Sequence, residues 1–147
     1  MTNSKQKEKV ALWLARLAVA LVFALNLQCA LTFLIFPEYS LSAYGLSGTA
    51  GVVALQGIAV AFLMWNVTYP VVIANPLKHR IVFIIVLVQQ AVGLIGESFI
   101  YLSMKDAPLL LEQSILRFIV FDGAGLMLML GAFLWLQHQT VRTLNKS

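Results

Sequence analysis

A chain of 147 residues that is 61% hydrophobic and 11% charged cannot cover a water-exposed surface, because soluble domains carry roughly 25% charged residues. Lipid is the expected solvent for most of it, and the length suits one compact unit without a soluble catalytic domain. The net charge of +4 is small and scattered, which gives no case for nucleic acid as a partner; basic residues at helix ends suit anionic lipid headgroups instead.

A spanning helix needs about 20 mostly apolar residues. The first such stretch runs from about Val10 to Phe36. Lys5, Lys7 and Lys9 precede it, as in a signal peptide, but its apolar run is far longer than the 7–15 residues of a signal core. It is read as a retained span. Arg16 lies in its inner half, where its head can reach the inner headgroups. Asn26 falls in its outer half. Cys29, the single cysteine, excludes an internal disulfide or a multi-cysteine metal site and reads as a small packed hydrophobe.

Pro37, Gly45 and Gly48 mark the following loop. The second span runs from about Thr49 to Ala74 and carries Gln56. Gly57 and Ala61 have the small-xxx-small spacing that lets membrane helices approach. Asn66-Val67-Thr68 matches a glycosylation sequon but falls at membrane depth, and is discounted. Pro70 reads as part of a frayed helix end before the Asn75-Pro76 turn.

The third span, Ile81 to Leu102, holds Gln89, Gln90, Gly93, Gly96 and Glu97. Lys105-Asp106-Ala107-Pro108 then breaks the pattern. The fourth span, about Ser114 to Gln137, holds Arg117, Asp122, Gly123, Gly125 and Gly131. The fold expected is an all-α integral membrane protein, one bundle of four transmembrane helices. The glycines read as packing positions within that bundle; the competing reading is a face for a homo-oligomer.

Orientation follows from the basic residues. Lys5, Lys7, Lys9, Lys78, Arg80, Arg142 and Lys146 lie at one side of this topology, seven in all, against Lys105 at the other. The positive-inside rule places both termini in the cytoplasm and the protein in the cell membrane. Trp13, Trp65 and Trp135 are expected near the inner interface, with Tyr39, Tyr44 and Tyr101 near the outer one.

Charges inside spans are costly and mark sites. At a 1.5 Å rise, Glu97 lies about 24 Å from the inner start of its span, level with Arg117. An ion pair between them is expected. Asp122 lies about 12 Å from the outer edge, near the midplane. It is five residues from Arg117 and so on another face. Gln89 and Gln90 are its expected partners. Glu97, Asp122, Arg117, Gln90, Gln89, Gln56 and Asn26 together form a polar cluster, mostly in the outer half. A purely structural network is the alternative, but membrane side-chain hydrogen bonds average only about 0.6 kcal/mol, against about 2.5–3.5 kcal/mol to insert each carboxylate.

No HExxH, GxSxG or glycine-rich phosphate loop occurs, and His79 and His138 lie far from both carboxylates in sequence. Nothing in the pattern calls for a metal or cofactor. In size and layout the chain resembles several families of small four-span bacterial membrane proteins, including the DoxX-like group. The likeness is one of topology and carries over no residue and no activity. The function expected is a membrane protein that binds or helps to move a small molecule or lipid. A membrane enzyme acting on a lipid or isoprenoid, with Glu97 or Asp122 as acid or base, is the first alternative. An assembly protein without a ligand site is the second.

Overall fold

The computed structural model describes residues 2–144. In chain order it contains α1 (Thr2–Ile35), α2 (Glu38–Leu41), a 3₁₀ turn (Ser42–Tyr44), α3 (Gly48–Asn66), α4 (Tyr69–Ala74), α5 (Arg80–Ser103) and α6 (Leu109–Leu144), with no strand among the described residues. Lys146, one of the basic residues used for orientation, lies outside them. Four helical stretches, Lys5–Ile35, Gly48–Ala74, Arg80–Ser103 and Leu109–Thr143, are long and apolar enough to cross a membrane. Their outward faces match that reading: Leu17, Val53, Ile81, Ile95, Val120 and Met127 are all more than half exposed.

The loops obey their punctuation. Pro37 stops α1, because the residue before a proline is pushed out of helical geometry, and Glu38 then sits in the first turn of α2. Gly45 ends the 3₁₀ turn in the left-handed region, at φ 65°, with its N–H on the Ser42 carbonyl. The Asn75 Oδ1 accepts the Lys78 N–H at 3.0 Å, closing the turn into α5.

The second span is not one straight helix. It breaks at Val67–Thr68, between α3 and α4. Pro70 in the first turn of α4 has no N–H for the Asn66 carbonyl, and its ring crowds that group. The frayed end expected at Pro70 is therefore a kink inside the span. Local side chains stabilise it. Asn66 Nδ2 donates to the Phe62 carbonyl at 2.7 Å. The Thr68 hydroxyl reaches the Trp65 carbonyl at 3.2 Å and Gln89 Oε1 at 3.0 Å.

The kink decides the architecture. α3 packs on α1, α1 on α6, and α6 on α5, so the long helices form a row; α3 and α5, at its two ends, are not a packed pair. α4 turns inward and contacts both α1 and α5, closing one end of the bundle. The larger core lies at that closed end, where Ala15, Val19, Tyr69, Val72, Phe83 and Met129 meet. A smaller one, around Phe33, Leu55 and Ala59, joins α1 to α3. Arg16 holds α4 in place: its Nη2 donates to the Ala74 carbonyl at 2.6 Å, satisfying an otherwise orphaned helix-end group. Arg16 thus ties α1 to the end of α4.

The glycines divide. A Cβ on Gly93 would overlap the Asp122 carboxyl, and one on Gly125 would lie 3.1 Å from Gln90 Nε2, so both let α5 and α6 approach. Gly57 has nothing within 4 Å of a built Cβ and is exposed, as is Ala61. The packing role expected of that pair is not met within the bundle.

Candidate functional site

Where α3 and α5 part, a cavity of about 200 Å³ remains, with Asn26, Trp65, Asn66, Gln90, Glu97 and Asp122 in its walls. Each wall comes from a different helix. α1 supplies Asn26, α3 supplies Trp65 and Asn66 beside the kink, α5 supplies Gln90 and Glu97, and α6 supplies Asp122.

At the closed end a polar chain crosses three helices. The Tyr69 hydroxyl donates to Gln90 Oε1 at 3.0 Å. Gln90 Nε2 donates to Asp122 Oδ1 at 2.8 Å. Gln90 is only 2% exposed, and it uses both ends of its amide. The cavity's unpaired groups are elsewhere. Asn66 Oδ1 and Glu97 Oε2 are buried and have no hydrogen-bond partner. Both residues line the cavity.

The structure separates the rest of the expected cluster. Gln89 bonds Thr68 on the flank of the kink and is not in the cavity wall. Gln56 Nε2 donates to the Leu34 carbonyl at 3.1 Å and ties α3 to the end of α1. Arg117 lines a neighbouring groove with Gln28, Cys29, Thr32 and Tyr44, which shares only Asn26 and Phe118 with the cavity. The Glu97–Arg117 ion pair is therefore not made. Matched height alone did not bring them into contact. Beside Arg117, burial pushes the Tyr44 phenol above its ordinary range, with the Arg117 charge opposing.

Trp65 has a role beyond the interface expected of it. It lies against Ile84, Ile85, Val88, Gln89 and Val92, well inside α5, because α4 carries the span onward beyond it. It is one wall of the cavity. Asn66, Trp65 and Tyr69 are the site residues that sequence reasoning missed. The signal available was Asn66 itself, a polar residue in an apolar run four positions before Pro70.

Among the described residues no three His, Cys, Asp or Glu side chains gather. The chemistry offered is a small apolar chamber with two unpaired oxygens, Asn66 Oδ1 and Glu97 Oε2, buried in its wall residues, and a second carboxyl, Asp122, bonded at its rear. No family model, curated protein or solved structure matches the chain; the resemblance in layout stays one of topology.

Proposed function

We propose that this chain is an integral protein of the cell membrane, both termini in the cytoplasm, whose intramembrane cavity binds a small molecule or lipid. In this topology the α3–α5 cleft faces the outer half of the bilayer. One observation carries the reading: Asn66 Oδ1 and Glu97 Oε2 are both buried without partners in one cavity. Orphaned buried polar groups are uncommon and call for an explanation, and in hydrocarbon each costs several kcal/mol. An assembly protein without a site would gain from pairing them.

The test is what the protein carries. Extracted directly into nanodiscs with its native lipids, the wild type should hold a bound molecule that mass spectrometry detects above bulk lipid. Asp122→Asn and Asn66→Leu should lose it while remaining folded and inserted. A wild type that holds nothing specific, with a cavity that collapses in a lipid-bound structure, would restore the assembly reading. The membrane-enzyme reading keeps one support, since Glu97 and Asp122 border the same space. It requires a lipid product that disappears in Asp122→Asn.

A further inference from the structure

We infer that the cavity takes a single-chain amphiphile whose head donates hydrogen bonds and carries no negative charge, an alkyl or isoprenoid alcohol or amine, entering sideways between α3 and α5. The inference rests on the reading of the cavity as a binding site and specifies its ligand.

The head is set by the acceptors. Asn66 is 4% exposed and its Oδ1 has no partner. Its orientation is fixed, because Nδ2 donates to the Phe62 carbonyl at 2.7 Å; turning the amide over would set oxygen against oxygen. The wall residue therefore holds an unpaired acceptor, itself closed to water, which a donor satisfies once the side chain shifts toward the cavity. Glu97 Oε2 is also buried without a partner, and it accepts when the carboxyl is ionised.

The charge is set by what surrounds them. The cavity wall contains Glu97 and Asp122 but no Lys, Arg or His among the described residues. The nearest guanidinium along α6, Arg117, lines the other groove. A phosphate, sulfate or carboxylate head would be buried against two carboxyls with no cation to pair it, the costly case for a buried charge. An alcohol meets no such penalty, and an ammonium gains from the carboxyls.

The tail is set by the mouth. Val92, Gly96 and Ile100 recur four apart on α5, which aligns them on one stripe, and all three are exposed. Gly96 has nothing within 4 Å of a built Cβ. That stripe makes an apolar track from the polar floor to the lipid side. A cavity of about 200 Å³ lies below the usual range for drug-sized ligands, about 300–1,000 Å³. That suits a small head and the first carbons of one chain. It does not suit the head of a two-chain phospholipid.

The experiment uses Trp65 as reporter. In the full chain carrying Trp13→Phe and Trp135→Phe, Trp65 is the remaining tryptophan, in the cavity wall. The protein is placed in phosphatidylcholine nanodiscs. It is titrated with bromoalkyl probes of equal chain length bearing alcohol, ammonium or carboxylate heads, each expressed as mole fraction in the bilayer. Alcohol and ammonium probes should quench Trp65 saturably, at concentrations at least about tenfold below any saturation by the carboxylate, or about 1.4 kcal/mol. Asn66→Leu should convert the alcohol curve to linear collisional quenching. Glu97→Gln, which keeps shape and foldability, should weaken the ammonium probe more than the alcohol. A carboxylate that saturates as tightly as the alcohol overturns the inference and leaves a binding cavity standing. If no head saturates, both the inference and the binding reading fall.

Discussion

Gln90 does two things at once, and so it should be the least replaceable residue of the floor. It accepts from Tyr69 on α4 and donates to Asp122 on α6. Gln90→Leu strands both partners. With membrane side-chain bonds averaging about 0.6 and reaching about 1.7 kcal/mol each, the loss should be about 1–3 kcal/mol, read as a lowered melting temperature in detergent. Gln89→Leu, which removes one bond on the flank, should cost less. A second residue test concerns fit. Gly93→Ala drives a methyl into the Asp122 carboxyl, and overpacking typically costs about 1–3 kcal/mol. Gly96→Ala, one turn on, meets nothing and should change stability little. Equal losses at both positions would mean that backbone freedom, and not fit, explains Gly93. At this scale the sequence was half legible. Asn26, Gln90, Glu97 and Asp122 stand out as polar residues in apolar runs, and they do share the cavity. Gln56 and Arg117 stand out equally but turn elsewhere. Helical rise sets a residue's height, whereas its direction depends on how the helix is rotated against its neighbours, which the rise does not contain.

At the scale of elements, the kink is the part that composition could not reveal. A proline near a helix end and a proline inside a span look alike until the true end is known. Here α4 continues to Ala74, so Pro70 acts on the Asn66 carbonyl within the span. The four spans themselves were legible, since length and hydropathy alone define them. The kink carries its own prediction. Pro70→Ala combined with Thr68→Leu restores the missing N–H and removes the hydroxyl that bridges to Gln89. The span should straighten, and the distance between nitroxide labels at Thr49 and Val71, measured by pulsed electron resonance, should lengthen. An unchanged distance would show that packing of α4 against α1 and α5 sets the bend without the proline. Arg16→Leu should loosen the same element from its other end, by freeing the Ala74 carbonyl. Faster hydrogen exchange confined to α4 is the expected signature.

For the whole molecule, orientation is the prediction that matters first. In a Cys29→Ala background, single cysteines at Gln6, Ser42, Leu77 and Lys105 report each side. An impermeant thiol reagent on intact cells should label only Ser42→Cys and Lys105→Cys, as the basic-residue bias requires. Labelling at Leu77→Cys would sink the topology. The row of helices pinned by α4 at one end has a consequence for the bilayer itself. On the proposed reading, the gap between α3 and α5 has lipid chains as its remaining wall, so the volume of the cavity answers to lateral pressure in the outer leaflet. Tightly ordered saturated chains should press α3 and α5 together and lower occupancy, while thin or loosely ordered membranes should raise it. Binding would then track the physical state of the membrane without any dedicated sensing element.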